Sequence, residues 1–78
     1  MVTVVTMRSR FGNQMSKFFG GKHESAVTAA SDYLVRWLDQ QKLVAPVGEV
    51  LDQVRSQHDF QDFPTIDGRV VSVYFRID

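Results

Sequence analysis

The side chains best suited to metal or acid–base chemistry lie in the segment HDFQD, residues 58–62. It holds one imidazole, that of His58, and two carboxylates, those of Asp59 and Asp62. Metal ions are held by three or four converging ligands that neighbouring groups orient. The segment matches neither the EF-hand loop nor the H-E-x-x-H pattern. We therefore expect a solvent-exposed loop here, with no metal, no cofactor and no catalytic residue.

The Gly20-Gly21-Lys22 sequence shares its Gly-Lys pair with phosphate-binding loops. The full motif is G-x-x-x-x-G-K-S/T; here the first glycine is missing and His23 stands where Ser or Thr is needed. We expect a flexible connection from a strand to a helix, although a helix N-terminus at this point could hold an anion. The G-x-S-x-G pattern of hydrolases is also absent. The sequence therefore predicts a protein that is not an enzyme.

The most informative stretch is MRSRFGNQMSKFF, residues 7–19, which contains three basic residues, three phenylalanines and no acid. Residues 1–22 carry four basic residues and no acid, whereas residues 23–68 carry eight acids and three basic residues. Cations and aromatic rings on a sheet can bind nucleic acid, because phosphates pair with the cations and bases stack on the rings. They can equally meet an acidic protein surface. A pI of about 6.7 and the lack of an RNP1 motif favour the protein partner.

Two strands must position these side chains. Residues 2–11 alternate, Gly12-Asn13 predicts a two-residue turn, and QMSKFF returns as the second strand. This turn sets Met7 opposite Phe18 and Ser9 opposite Ser16. One side of the hairpin then carries Val5, Met7, Phe11 and Phe18, and the other carries Arg8, Arg10, Met15, Lys17 and Phe19. A register slip of one residue would exchange the two sides of the second strand.

Two amphipathic helices follow. The spacing of apolar residues predicts a helix over residues 24–41. Its apolar face consists of Ala26, Val27, Ala30, Tyr33, Leu34, Trp37 and Leu38. A second helix is predicted over residues 46–57, with Pro46 at its first position, where a missing N–H costs nothing.

The C-terminal part is predicted to be a loop followed by a strand. We expect residues 58–68 to form the loop, with Phe60 and Phe63 tucked under the domain and Pro64-Thr65-Ile66 as an optional short edge strand before an Asp67-Gly68 turn. The last strand alternates strictly. Its two sides are Val71, Val73, Phe75 and Ile77, and Val70, Ser72, Tyr74 and Arg76.

These elements predict a single α+β domain over residues 1–78, with two layers. An antiparallel sheet, in the chain order β-β-α-α-β with one optional short strand, would carry both helices on one face. Its other face would remain uncovered, and we predict that this face is the docking site. The predicted site residues are Arg8, Arg10, Lys17, Phe19, Tyr74 and Arg76.

The function expected from this site is a non-catalytic protein-interaction module that binds a partner with an acidic surface. The alternative is a module that binds RNA or DNA through the same face. Apolar residues on that face and unpaired strand edges also predict a homodimer.

Composition limits where the protein would work. The chain has no cysteine, which excludes disulfides and thiolate zinc sites. It has no apolar run near the ~20 residues of a membrane span, and residues 1–10 lack the features of a signal peptide. We expect a cytoplasmic protein with no membrane partner. Small proteins of this kind are common among products of phages and mobile elements, so an inhibitor or adaptor is one form that the module would take.

Overall fold

A computed structural model of the chain describes residues 2–10, 15–57 and 59–78. The elements in this part of the chain are β1 (Thr3–Arg10), β2 (Ser16–Gly21), α1 (His23–Gln40), α2 (Val47–Ser56), β3 (Gln61–Pro64) and β4 (Val70–Ile77). The strands form one sheet in the order β2-β1-β4-β3, and every neighbouring pair is antiparallel. The predicted α+β fold is confirmed, with β3 as the additional short strand.

The two helices are amphipathic and lie close to their predicted bounds. α1 buries Ala26, Ala30, Leu34, Trp37 and Leu38, five of the seven residues assigned to its apolar face. The other two, Val27 and Tyr33, are partly buried against the same core. α2 buries Val50 and Val54, and Pro46 precedes it as the N-cap rather than as its first residue.

Both helices pack on the same face of the sheet, here called the helix face. Val5 and Met7 of β1 and Val71, Val73 and Phe75 of β4 are buried there in one cluster with the buried residues of α1 and α2. Successive strand residues point to opposite faces. The predicted sides of the last strand are therefore confirmed.

The register of β2 differs by one residue from the prediction. Met7 lies opposite Lys17, and Thr6 lies opposite Phe18. Lys17 and Phe19 therefore face the helices, and Phe18 faces away with 63% of its surface exposed. The predicted places of these three residues were wrong, and so was that of Met15, which is buried in the core.

Contacts on the helix face explain why β2 adopts this register rather than the predicted one. It lets the Phe19 ring pack against that of Tyr33, with the ring centroids 5.8 Å apart. It also pairs Met15 with Ser9, whose N–H donates to the Met15 carbonyl oxygen at 2.9 Å. The predicted turn at Gly12-Asn13 and the predicted core residue Phe11 lie outside the described residues.

The region predicted as a loop contains β3, which starts earlier than the proposed Pro64-Thr65-Ile66 strand. Phe63 is buried as predicted. Phe60 is not tucked under the core, because it lies half-buried against Tyr74 on the other face of the sheet. Thr65 and Asp67 belong to the turn into β4, where Gly68 has a φ of +84° that favours glycine.

Within the described residues, none of the helices has the length and apolar character needed to cross a membrane.

Candidate interaction surface

The sheet face opposite the helices, here called the outer face, is left uncovered by the described elements. Its centre is β1, where Arg8 lies between Ser16 of β2 and Tyr74 of β4. In the neighbouring row, Thr6 lies between Phe18 and Arg76. The predicted site residues Arg8 and Arg76 are thus brought together on adjacent strands.

A shallow open groove of about 350 Å³ runs across the outer face. Its walls combine guanidinium groups, aromatic rings and one carboxylate. They are formed by Thr6, Arg8, Phe18, Phe60, Tyr74, Arg76 and Asp78. A group with a negative charge and an apolar body would match these walls.

Three side chains form a stack at one side of the groove. The rings of Phe60 and Tyr74 lie 5.3 Å apart between centroids, tilted by 36°. The guanidinium carbon of Arg10 lies 4.5 Å from the centre of the Phe60 ring, within the range of cation–π attraction. Phe60 lies just before β3 and is not itself a strand residue, and these contacts hold its ring on the outer face.

A polar chain lies beside this stack and ties β1, β4 and β3 together. The Nε of Arg10 donates to the hydroxyl of Ser72 at 3.2 Å. That hydroxyl donates in turn to a carboxylate oxygen of Asp62 at 2.5 Å. Ser72 is fully buried, whereas Arg10 and Asp62 are exposed, so both of its hydroxyl bonds are partly buried.

Arg76 is compensated by a neighbouring acid. Its Nε lies 2.6 Å from a carboxylate oxygen of Asp78, and its Nη1 lies 3.5 Å from the Tyr74 hydroxyl. The Tyr74 hydroxyl, and then the Asp78 carboxylate, raise the pKa of Arg76 above its usual range, so this guanidinium stays charged. Arg8 and Arg76 are both exposed at the groove.

The predicted site is divided between the two faces of the sheet. Arg8, Arg10, Tyr74 and Arg76 lie together on the outer face. Lys17 and Phe19 lie on the helix face because of the register of β2. There the ammonium nitrogen of Lys17 lies 5.4 Å from the centre of the Tyr33 ring.

Sequence reasoning missed two aromatic residues of the outer face, Phe18 and Phe60. The alternative register of the hairpin would have placed Phe18 correctly. The spacing of Phe60 could also have indicated its place, because it stands three positions before Phe63, which was predicted to be buried. An extended segment through both residues puts them on opposite faces.

The motifs considered for metal and phosphate binding gain no support from the geometry. Asp59 accepts the N–H of Phe60 at 2.8 Å, Asp62 binds Ser72, and His58 lies outside the described residues. No group of three possible metal ligands occurs among the residues described. Gly20 and Gly21 are the last residues of β2 rather than part of a loop.

Comparison with protein-family models, with curated proteins and with solved structures finds no match to this chain.

Proposed function

We propose that this chain is a small non-catalytic module that docks through its outer face onto an acidic surface of a partner protein. One observation carries the proposal: the uncovered face of the sheet gathers arginines and aromatic rings around an open groove. An exposed Phe18 in such a place costs solubility and contributes nothing to the core. Val4 is also exposed on this face, and contiguous exposed apolar area marks an association site in many proteins.

The residue types of the groove are those of protein interfaces. Arg, Tyr and Phe are enriched in the centres of such interfaces, whereas Lys is depleted. The described cations of the outer face are all arginines, Arg8, Arg10 and Arg76, and Lys17 lies on the opposite face. Arginine also pairs in a bidentate manner with carboxylates, which supports an acidic partner.

The charge balance of the groove favours a protein over a nucleic acid. Nucleic-acid affinity depends on several cations that each neutralise a phosphate. On the outer face Asp78 already pairs with Arg76, and Asp62 lies within the hydrogen-bond chain that includes Arg10. The rings of Phe60 and Tyr74 also pack against each other, so less of their ring surface is free for bases to stack on.

The cysteine-free composition suits a reducing compartment, and we place the module in the cytoplasm. An inhibitor or adaptor encoded by a phage or mobile element is one form of such a module. It would act by occupying a surface of its partner rather than by chemistry.

The proposal is tested by differential capture with matched variants. Purified wild-type chain, Arg8→Glu and Phe18→Ala are immobilised and exposed to nuclease-treated lysate of the cells in which the chain is naturally expressed. Captured proteins are quantified by mass spectrometry. Charge reversal at Arg8 should cut capture of the specific partner about tenfold or more, because it removes attraction and adds repulsion. Phe18→Ala should weaken capture by a similar factor.

Two control variants test whether the effect belongs to the outer face. Arg55→Glu makes the same charge change on exposed α2, and Ile66→Ala truncates a side chain that is 69% exposed, close to the 63% of Phe18. Both should capture the partner as wild type does. Equal losses with the controls would contradict the proposal.

A second measurement tests the nucleic-acid alternative directly. Anisotropy of a labelled single-stranded oligonucleotide is followed at several salt concentrations. We expect no binding that depends on Arg8. Binding that is lost in Arg8→Glu and falls with salt at a log–log slope of about 0.7 per phosphate would replace the protein partner with a nucleic acid.

A further inference from the structure

The strand β2 forms one edge of the sheet, and no described strand lies beyond it. Four of its residues are exposed, Ser16, Lys17, Phe18 and Gly20. Sheet edges with free backbone groups pair readily with other chains. The direction of each backbone group in β2 therefore decides what this edge can bind.

Backbone hydrogen bonds elsewhere in the sheet define these directions. Val4 and Asp78 exchange two bonds, of 3.3 and 2.8 Å, across β1 and β4. In an antiparallel ladder such pairs alternate along the strand, so the even-numbered residues of β1 bond to β4 and the odd-numbered ones bond to β2. The bond from the N–H of Ser9 to the carbonyl of Met15 agrees with this assignment.

The same alternation continues into β2. The residues opposite the odd-numbered positions of β1 are Lys17, Phe19 and Gly21, and their N–H and C=O groups are used inside the sheet. The backbone groups of Ser16, Phe18 and Gly20 therefore point outward, away from β1. They form a row of donors and acceptors along the open edge.

The opposite edge of the sheet is closed by local structure. β3 is only four residues long and ends in Pro64, which has no N–H to offer. The Pro64 carbonyl already accepts the N–H of Val44 at 3.1 Å, and Leu43 forms a bridge with Thr65. The segment between the helices thus covers the Pro64 end of β3, whereas nothing in the described chain covers the outer edge of β2.

We infer that a second copy of this chain pairs with the open edge of β2, antiparallel and about a twofold axis at Phe18. Phe18 then lies opposite the second copy's Phe18, and Ser16 lies opposite the second copy's Gly20. Each such pair exchanges two backbone hydrogen bonds. The two four-stranded sheets join into one continuous sheet of eight strands.

The side chains of the outer face fit this arrangement. The two Phe18 rings become neighbours across the axis, and aromatic cross-strand pairs stabilise antiparallel strands. On either side of the ring stand small residues, Ser16 and Gly20, which leave room for the approaching strand. This small–Phe–small pattern is symmetric about Phe18 and so complements itself, which favours a second copy over an unrelated strand.

The helix face selects the register. With the axis at Phe18, Lys17 lies opposite the second copy's Phe19, and all three outward residues are paired. An axis at Lys17 would set two ammonium groups opposite each other and leave Gly20 with no partner within the second copy's β2. Like charges directly opposite destabilise a strand pair. The zero formal net charge of the chain adds no overall repulsion between copies.

The test uses the purified chain and needs no partner. Sedimentation velocity from about 10 µM to about 1 mM should show a monomer converting to a dimer, since a contact of one short strand is in the weak range of affinities. Phe18→Lys and Phe18→Glu each place like charges on the axis and should weaken dimerisation about tenfold or more. Mixing the two variants should restore a dimer that contains one chain of each.

Matched variants at Ile66, which is as exposed but far from β2 in the chain, should dimerise like wild type. Circular dichroism of all variants checks that the fold is intact. A wild type that remains monomeric at about 1 mM, a Phe18→Lys variant that dimerises like wild type, or a mixture that stays monomeric would each overturn this pairing. Arg8→Glu separates this inference from the proposed docking function, because it should lose the partner and keep the dimer.

Discussion

The two faces of the sheet are made by the same strands but have opposite chemistry. On β4 the helix face carries Val71, Val73 and Phe75, all buried, and the outer face carries Tyr74 and Arg76. These helix-face residues of β4 are buried and apolar, so their side chains contribute hydrophobic stabilisation. The outer face is lined by guanidinium groups and aromatic rings that remain open to solvent.

This difference indicates a division of roles within one sheet. A change on the helix face must disturb packing, because interiors are close-packed. A change at an exposed position of the outer face can alter binding and leave folding intact. The following substitutions test how complete that division is, since Ser72 is buried although it belongs to the outer face.

The largest loss of stability is expected for Trp37→Ala on the helix side. Trp37 is only 9% exposed and packs in the core, so its truncation leaves a cavity. We expect a loss of about 3 to 5 kcal/mol in the free energy of unfolding. A domain of this length has only about 4 to 10 kcal/mol in total. Because the chain has a single Trp, unfolding must be followed by far-UV circular dichroism rather than by fluorescence.

The control for this prediction is Val35→Ala, on the solvent side of the same helix. It should change the free energy of unfolding by no more than about 0.5 kcal/mol. A loss below about 1 kcal/mol for Trp37→Ala would show that the helix face does not depend on this residue.

An intermediate effect is expected for Ser72→Ala on the outer face. The Ser72 hydroxyl accepts from Arg10 and donates to Asp62, and its removal breaks both of these part-buried bonds. Bonds to charged groups contribute about 1.5 to 3 kcal/mol each. Arg10 and Asp62 can turn back to water, so we expect a net loss of about 1 to 2 kcal/mol by chemical denaturation.

Ser16→Ala is the matched control, since Ser16 is an exposed serine on the same face. It should leave stability within about 0.5 kcal/mol of wild type. If Ser72→Ala is equally neutral, the outer face has no structural role and the division between the faces is complete.

Much of the fold could be predicted from sequence because burial imposes periods on it. The spacing of Leu34, Trp37 and Leu38 predicts α1, and strict alternation predicts β4. The register of β2 could not be predicted in this way. Its sequence offers apolar residues to both faces, with Phe18 on one and Phe19 on the other, so a slip of one residue exchanges one phenylalanine for the other.

The same ambiguity in the register of β2 affected the prediction of the candidate site. Arg8, Arg10, Tyr74 and Arg76 stand on strands with a clear alternation, and they lie together on the outer face as predicted. The two misplaced members, Lys17 and Phe19, both belong to β2. What decided their place is a tertiary contact, the packing of Phe19 on Tyr33 of α1, which the sequence of the hairpin does not contain.

The smallest effect on stability is expected for removal of a charge in the turn between β3 and β4. This turn lies at the end of the sheet, and its charged side chains are solvent-accessible. The Thr65 hydroxyl donates to the Asp67 carboxylate. The Nε of Arg69 lies 2.9 Å from an oxygen of the same Asp67 carboxylate. The Thr65 hydroxyl and then Arg69 hold the pKa of Asp67 below its usual range.

A lowered pKa in the folded state has a definite sign. Between the folded and the unfolded pKa the unfolded chain binds more protons, so stability falls as the pH drops through this interval. The contribution of the Asp67 charge is complete above the unfolded pKa of about 4 and is lost as the pH falls through the lower folded value.

Asp67→Asn should therefore melt slightly below wild type near neutral pH, and the difference in Tm should close on acidification below about pH 4. Thermal melts of wild type, Asp67→Asn and Asp52→Asn, an exposed change on α2, measure this difference across the pH range. A gap for Asp67→Asn that stays constant at all pH values would mean that the Asp67 charge is irrelevant and that only the geometry of the turn matters. A gap of the same size and pH dependence for Asp52→Asn would assign the effect to overall charge rather than to the turn.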